Sequence, residues 1–268
     1  MPRLSVDLDI VYTPWQTPRE QALKAISDEL AAIASRMKAR SLDTRLIASK
    51  DRNETKLIVD DGTHQVKLEV NTVFRGTAMA IEDRTVQPKT SKMFSVALEL
   101  PILNVDELYG SKLVAAMDRQ HPRDLFDAWK MLELQGLTDA TIECFMTYLA
   151  GHNRPIHEVL FSNPKDISLE FESDFVGMTA EPVGLETLLE TRARIMTDLP
   201  RRLTEVQRHF LIGLSRAEPD WGLLRCPHAE QLPALRWKLS NLQKFSKQRP
   251  RDFQQHAAEL ALNLDRTG

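Results

Sequence analysis

The stretch Arg3-Leu4-Ser5-Val6-Asp7-Leu8-Asp9, near the start of a chain of 268 residues, is the part of the sequence that decides the fold class. Apolar and polar residues alternate over residues 4–12, which predicts a β-strand. Residues two apart on a strand share a face, so Asp7 and Asp9 are predicted to project together while Val6, Leu8 and Ile10 face the core. The alternative is an exposed strand face that carries two solvated acids.

The periodicity of the chain changes near residue 100. Before that point, a capping box at Thr17 predicts a helix, and short strands are predicted over residues 44–50, 56–59, 65–73 and 92–100. After it, helices are predicted to start at Asn104, Pro122, Thr138, Leu185, Pro200, Leu232 and Pro250, with residues 161–182 as a loop or a short strand. We therefore expect an α+β fold in which a small mixed-sheet domain, residues 1–103, and a C-terminal α-helical domain, residues 104–268, pack around a cleft.

The composition excludes several classes of protein. The 10 glycines are too far apart to form G-x-G-x-x-G or the P-loop pattern, so neither nucleotide-binding loop is present. The net charge of −3 limits any nucleic-acid contact to a local patch. The two cysteines, Cys144 and Cys226, and the seven histidines show no spacing typical of a metal-ligand set. Without a signal sequence or an apolar run near the ~20 residues of a membrane span, we expect a cytoplasmic protein with no membrane partner.

Two alternating segments supply candidate acids for metal binding. Asp7 and Asp9 repel each other unless a cation lies between them, and Mg²⁺ prefers a few carboxylate oxygens together with phosphate oxygens. Residues 66–71 alternate again, which makes Glu69 a candidate third acid on a neighbouring strand. Such acids suit metal-assisted phosphoryl or nucleotidyl transfer, in which one of them can accept a proton from the attacking hydroxyl. An ordinary exposed pair of Lys67 and Glu69 is the alternative.

A third candidate group lies on two consecutive predicted helices and comprises Lys112, Arg119, Arg123, Asp124 and Asp127. Lys112 and Arg119 share a helix face because they are two turns apart. A basic stripe of this kind suits contact with a polyanion such as a triphosphate. The alternative is a surface helix with scattered salt bridges.

Together and in this order, these motifs resemble the AbiEii/AbiGii nucleotidyltransferase toxins of bacterial abortive-infection systems, which have a DNA-polymerase-β-like nucleotidyltransferase fold. The family's Arg-x-Ser-x-Asp-x-Asp strand is similar to residues 3–9, and its third-acid strand to residues 67–70. Its Lys-Leu…Arg…Arg-Asp-x-x-Asp helices are similar to Lys112-Leu113, Arg119, Arg123-Asp124 and Asp127. The resemblance covers nearly the whole chain, and the last of these strings is its most specific part.

The resemblance implies a Mg²⁺-dependent transfer of a nucleotide from an NTP to an acceptor, which is tRNA in several members, by a toxin encoded beside a separate antitoxin protein. It implies that Asp7, Asp9 and Glu69 hold the metal and that Asp124 is a further catalytic acid. It also implies that Lys112 meets the triphosphate with support from Arg119, while Arg123 and Asp127 hold the helices in place.

Two features near the first strand bear on phosphate binding. Ser5, beside the acids, is a candidate hydrogen-bond donor to a phosphate, or else an ordinary serine at a strand end. The family has a helix and a glycine turn ahead of its D-x-D strand, and the turn binds NTP phosphates through backbone N–H groups. Only six residues precede Asp7 and none is a glycine. The first domain is therefore expected to lack this helix and turn, through a start codon assigned too late, a truncated gene or a degenerate phosphate site.

Residues 231–251 form the one plainly basic stretch and contain no acid. Its candidate contacts to RNA phosphates are Arg236, Lys238, Lys244 and Lys247, and a charged outer helix face is an equal alternative. The sequence thus leaves three functions: a nucleotidyltransferase toxin that modifies tRNA, a catalytically degenerate protein of the same fold that binds RNA or a partner, and a nucleotidyltransferase that modifies a small molecule such as an antibiotic. The basic stretch favours RNA as the acceptor.

Overall fold

The computed structural model describes residues 3–5, 7–48 and 54–267, and it confirms the predicted α+β class. A four-stranded sheet is formed by β1 (Asp7–Val11), β2 (Asp43–Ala48), β3 (Glu54–Asp60) and β4 (Gln65–Asn71), in the order β1-β4-β3-β2. β1 is parallel to β4, whereas β3 is antiparallel to both of its neighbours. β1 is therefore an edge strand of this sheet, and its residues are aligned with those of β4.

Helix α1 (Arg19–Lys38) covers one face of the sheet. Its apolar residues Ile26, Leu30 and Ala34 form a core with Leu57 of β3 and Val70 of β4. The helix lies over β2 and β3. α1 therefore packs on β3 and on β2, the edge strand opposite β1. It covers little of β1 itself.

The prediction for the apolar residues of β1 holds for their direction but not for their burial. Leu8 and Ile10 are aligned with Leu68 and Val70, so they lie on the side of the sheet that α1 covers, as predicted. They are nevertheless 56% and 37% exposed, because α1 does not extend over β1. The alternation over residues 4–12 correctly indicated a strand, but alternation alone does not reveal whether a helix covers the apolar side. Val6, predicted to face the core with them, lies outside the described residues.

Residues 82–102 form a small separate unit of β5 (Glu82–Thr85), α2 (Pro88–Phe94) and β6 (Glu99–Ile102), in which the two strands pair antiparallel. The predicted strand over residues 92–100 is wrong in its first half. The chain finishes α2 there, turns at Ser95 with a φ of 50°, and becomes extended at Glu99. A proline at the first position of α2 favours a helix start, and this signal outweighs the apolar residues that follow.

The described residues after 104 form α-helices joined mostly by short connections, and the longest connection, residues 216–232, contains two 3₁₀ helices. The α-helices are α3 (Val105–Arg119), α4 (Pro122–Leu134), α5 (Asp139–Ala150), α6 (Ile156–Leu160), α7 (Ser168–Asp174), α8 (Leu185–Arg202), α9 (Glu205–Ser215), α10 (Pro233–Gln248) and α11 (Pro250–Asp265). The side chains of Asn104 and Thr138 cap α3 and α5, as expected from their positions. α3 and α5 pack against each other in the centre of the helical core.

Three predicted helix features differ from the structure. Pro200 lies inside α8, and the next helix begins instead after Thr204, which forms a capping box with Gln207. Residues 161–182 contain the helix α7. Thr17 does not cap α1, because the N-cap is Pro18 and has no side-chain hydrogen bond.

The segment that follows β4 anchors the sheet in the helical core. Phe74 stacks on Tyr148 of α5, with 3.9 Å between the ring centroids. The backbone N–H groups of Ala78 and Met79 donate to the buried Glu107 carboxylate of α3 at 2.6 and 2.9 Å. The strand β4 is consequently tied to α3, the helix that carries Lys112.

In the described part of the chain, every helix falls short of the length and apolar character that a membrane crossing needs.

Candidate active site

Three predicted acids lie on the face of the sheet opposite α1. The register of β1 and β4 aligns Asp7 with Lys67 and Asp9 with Glu69, and alternate residues of a strand share a face. Asp9 is exposed, and none of the described residues forms a hydrogen bond or ion pair with its carboxylate. Asp9 is therefore the acid of this face that is most open to a ligand.

Lys67 lies between the other two acids. Its Nζ is 3.3 Å from Asp7 Oδ2 and 3.0 Å from Glu69 Oε2, and Lys56 of β3 contacts Glu69 Oε1 at 2.8 Å. The hydrogen bond to Glu69 raises the pKa of Lys67. Burial raises the pKa of Glu69, but the bonds from Lys56 and Lys67 outweigh it and hold the pKa below its ordinary value. Glu69 is thus an ionised carboxylate with two cationic partners.

Asp127 of α4 forms the centre of a second network. Arg3 donates to both of its carboxylate oxygens at 2.7 Å, and Lys112 of α3 donates to Oδ2 at 2.6 Å. Burial raises the pKa of Asp127, but the hydrogen bonds and charges of Arg3 and Lys112 prevail and its pKa lies below the ordinary value. Two cations from distant parts of the chain therefore converge on one ionised carboxylate.

Arg3, which binds Asp127, also lies near enough to Asp7 of β1 for the two charges to interact. Its backbone forms an isolated β-bridge with Thr179, and Leu4 donates its N–H to Met178 O at 2.7 Å, so the residues before β1 are held against the loop after α7. The hydrogen bond to Asp127 raises the pKa of Arg3, and the nearby charges of Asp124 and Asp7 raise it further. Arg3 thus lies within the electrostatic field of acids from both halves of the molecule.

The remaining predicted residues of this region also have defined partners. Arg119, at the end of α3, donates to both oxygens of Asp124 of α4 at 3.0 and 2.8 Å. The Arg119 side chain is 63% exposed, whereas that of Asp124 is 15% exposed. Ser5 donates its hydroxyl to the carbonyl of Asp7 at 3.1 Å. The predicted basic stripe of Lys112 and Arg119 is therefore a pair of cations, each bound to an acid of α4.

Two contributing side chains were missed by the sequence analysis. Lys56 received no role, because its spacing gives no sign that β3 lies beside β4 at Glu69. Arg3 was noted only as part of a motif, although its position two residues before Ser5 is the signal that could have singled it out. Asp127, expected to hold the helices in place, does join α4 to α3 and to the start of β1.

The basic stretch is only partly a surface feature. Arg236, Lys244 and Lys247 of α10 are exposed. Lys238 is 4% exposed and donates to the carbonyl of Arg154 at 2.6 Å. The prediction that Lys238 contacts RNA is wrong, because its ammonium points into the helical core and burial lowers its pKa to about 8.

A family match over most of the chain shows that it is a nucleotidyltransferase. The chain belongs to the nucleotidyl transferase AbiEii toxin family of type IV toxin–antitoxin systems, whose profile matches residues 1–258. This match confirms the family resemblance seen in the sequence.

Among solved structures, the chain is similar to MenT4, a nucleotidyltransferase toxin from Mycobacterium tuberculosis H37Rv. The TM-score is 0.57 and the sequence identity 15%, over 89% of this chain and 78% of that one. At this identity the likeness shows a shared fold. A comparison with curated protein sequences gives no match.

Proposed function

We propose that this toxin transfers a nucleotide from an NTP to tRNA, with Mg²⁺ as cofactor, in a cleft between residues 1–103 and the helical part, residues 104–268. The observation that carries the proposal is the position of Arg3, which donates to Asp127 beside Lys112 and lies near enough to Asp7 of β1 for their charges to interact. Carboxylates and phosphate-binding cations, which nucleotidyl transfer needs together, are thereby collected at one place.

The donor set of the sheet fits a Mg²⁺ ion. Asp7 and Asp9 supply oxygen ligands from one strand face, and Asp9 is exposed and has no partner among the described residues. Lys67 contacts both Asp7 and Glu69, so its ammonium has to turn away when Mg²⁺ binds with Glu69 as third acid. When bound, Mg²⁺ would supply charge neutralisation of the phosphates. Asp7 and Asp9 are its proposed ligands, with Glu69 as third acid.

The cations of α3 are the proposed triphosphate contacts. Lys112 and Arg119 each keep a share of exposed surface, 33% and 63% of their side chains, so a phosphate can reach them while Asp127 and Asp124 hold them in position. Ser5 is proposed as a further hydrogen-bond donor. Asp124, as the less exposed partner of Arg119, is proposed to act with the acids of the sheet.

The acceptor is assigned to RNA on the basis of surface charge. Arg236, Lys244 and Lys247 lie exposed on α10, beside Trp237, which is 44% exposed. Cations interleaved with an exposed aromatic residue suit contact with phosphates and bases. NTPs and tRNA place the activity in the cytoplasm, and the type IV family implies a separately encoded antitoxin protein as the physiological partner.

The test is a transfer assay with the purified protein, Mg²⁺, each labelled NTP in turn and total tRNA. We expect label in tRNA with one preferred NTP, loss of at least about 100-fold in Asp9→Asn, and no change in Asp43→Asn, an exposed acid at the opposite edge of the same sheet. RNA binding without transfer would indicate the degenerate alternative. Label in an added aminoglycoside instead of tRNA would indicate an antibiotic-modifying enzyme. Either result would overturn the proposal.

A further inference from the structure

A cluster of metal-ligand side chains lies between α6 and α11, away from the candidate active site. His157 and Glu158 of α6 and His256 of α11 each offer one potential ligand atom, and these atoms all lie within 4.8 Å of one another. The spacing of the histidines along the chain does not indicate this ligand set, because four α-helices separate His157 from His256. Folding brings them together.

Packing fixes the positions of both imidazole rings. The His157 side chain is 13% exposed, and its ring lies 4.9 Å from that of His256. The His256 ring also packs against Phe245 of α10, with 5.4 Å between centroids. Glu259, three residues after His256 and therefore on the same helix face, contacts His157 Nε2 at 3.1 Å. Side chains that are already oriented lose little conformational entropy when they bind an ion.

The Glu158 carboxylate of the cluster is held in place by a neighbouring arginine. Arg154 donates from Nε and Nη2 to Glu158 Oε2 at 3.2 and 2.9 Å. The other oxygen, Oε1, accepts no hydrogen bond from the described residues. A carboxylate ligand that is hydrogen-bonded to a fixed neighbour is a common feature of metal sites, since the neighbour orients the ligand.

We propose that His157, Glu158 and His256 bind a divalent transition metal ion, with Zn²⁺ as the expected ion and Glu259 as the nearest source of a fourth ligand. Two imidazole nitrogens and a carboxylate oxygen suit Zn²⁺, whereas Mg²⁺ takes oxygen ligands. Zn²⁺ bonds of about 2.1 Å in tetrahedral geometry separate ligand atoms by roughly 3.4 Å. Side-chain shifts of about 1 Å would therefore bring the three ligand atoms from separations of up to 4.8 Å to the separation that Zn²⁺ needs.

The position of the cluster indicates what the ion does. It would tie α11, the last helix, to α6 in the helical core. A cavity of about 280 Å³, lined by both histidines, Phe245 and Phe253, opens beside the cluster and gives the ion a route of entry. The site is thus a structural clamp that is chemically distinct from the proposed Mg²⁺ site.

The test uses the full-length, untagged protein after treatment with EDTA. Zn²⁺ is titrated calorimetrically, and thermal unfolding is recorded with and without a ~100-fold excess over the dissociation constant. We expect one equivalent of Zn²⁺ to bind and the Tm to rise by roughly 5 to 10 °C, an effect that Mg²⁺ does not reproduce. Co²⁺ in place of Zn²⁺ should give the visible absorption of a tetrahedral N/O site.

His157→Ala and His256→Ala should each weaken Zn²⁺ binding at least tenfold and abolish the Co²⁺ absorption. The matched controls are His64→Ala and His209→Ala, which remove exposed histidines outside the cluster and should bind Zn²⁺ as the parent does. If an alanine variant fails to fold, Glu158→Gln preserves the shape of the side chain and should still weaken binding. Failure of the parent protein to bind Zn²⁺, or equal binding by the cluster and control variants, would overturn the proposal.

Discussion

Arg3 and Asp127 form a two-point ion pair, with both bonds at 2.7 Å, although 124 residues separate them in the chain. Both side chains are largely buried, with 16% and 14% exposed. A planar guanidinium that meets both oxygens of a carboxylate fixes direction as well as distance. This pair therefore sets the position of the first strand against α4 and, through Lys112, against α3.

Asp127→Asn should lower the free energy of unfolding by about 2 to 3 kcal/mol, because it leaves Arg3 and Lys112 with no ionised partner at a largely buried position. Urea unfolding at neutral pH measures the loss. Asp139→Asn is the control, since that side chain is 82% exposed and its pair with Arg202 should be worth little. Equal losses in the two variants would show that the Arg3–Asp127 pair does not hold the strand.

The ion pair of Arg3 and Asp127 should also make the free energy of unfolding depend on pH. Asp127 has a lower pKa in the folded protein than its ordinary value of 3.8, so the unfolded chain binds the proton more tightly. The stability contributed by Asp127 is therefore complete above pH ~4 and is lost as the pH falls through the lower folded-state pKa. The difference in unfolding free energy between the parent and Asp127→Asn should be constant above pH ~5 and shrink below pH ~4. A difference that stays constant over the acid range would contradict this assignment.

Lys238 gives the opposite pH dependence, because burial disfavours its charged form. Its pKa in the folded protein is about 8, against 10.5 as the ordinary value. Between these pH values the unfolded chain binds more protons, so stability rises with pH. The free energy of unfolding of the parent, measured relative to that of Lys238→Met, should therefore rise by up to roughly 3 kcal/mol between pH ~7 and pH ~10. Chemical denaturation in metal-free buffer measures the gain, and Lys244→Met, on the exposed side of α10, should show none.

Arg119 offers a test of the triphosphate contact that leaves the fold intact. Its side chain is 63% exposed, so Arg119→Ala should change the free energy of unfolding by less than about 1 kcal/mol. If Arg119 contacts the NTP, the KM for the NTP should rise about tenfold. Arg202→Ala removes another exposed arginine that pairs with an aspartate, and it should leave KM unchanged. A KM that is unaltered in Arg119→Ala would remove this residue from the nucleotide site.

Features with a local cause could be predicted from the sequence. The alternation around Asp7 and around Glu69 indicated two strands, and the caps at Asn104 and Thr138 indicated two helix starts, because each signal is contained within a few residues. The same alternation also predicts that Asp7 and Asp9 share one face of their strand. The parallel pairing that sets Asp9 beside Glu69 could not be predicted from it, because that pairing depends on how α1 packs against the sheet.

Features that depend on tertiary packing could not be predicted. Lys238 and Lys244 both lie in α10 and have similar neighbours in the sequence. Lys238 is buried and Lys244 is exposed because other parts of the helical core pack around Lys238 alone. Leu8 is exposed because α1 lies over the other strands, which no pattern within β1 records. His157 and His256 meet because α11 folds back on α6, a contact between segments that are distant in the chain.

The junction between the sheet and the helical core can be tested at Gly76. Gly76 has a φ of +86°, donates its N–H to Tyr12 O at 2.8 Å and lies so close to Trp15 and Leu232 that an added Cβ would be 2.6 Å from Trp15 Cβ. Gly62 has nearly the same φ, +88°, with nothing within 4 Å of an added Cβ. Gly62→Ala therefore measures the cost of the backbone conformation alone, about 1 kcal/mol.

Gly76→Ala should lower the free energy of unfolding by the same ~1 kcal/mol as Gly62→Ala and by roughly 2 kcal/mol more. The extra loss arises because Trp15 and its stacking partner His228 must shift to make room for the new Cβ. Urea unfolding of the two variants gives both values. The extra loss should be accompanied by a change in tryptophan fluorescence in the native state, since Trp15 moves. Equal destabilisation of the two variants would mean that the chain relaxes at this junction, and that the close contact of Gly76 with Trp15 does not fix the sheet against the helices.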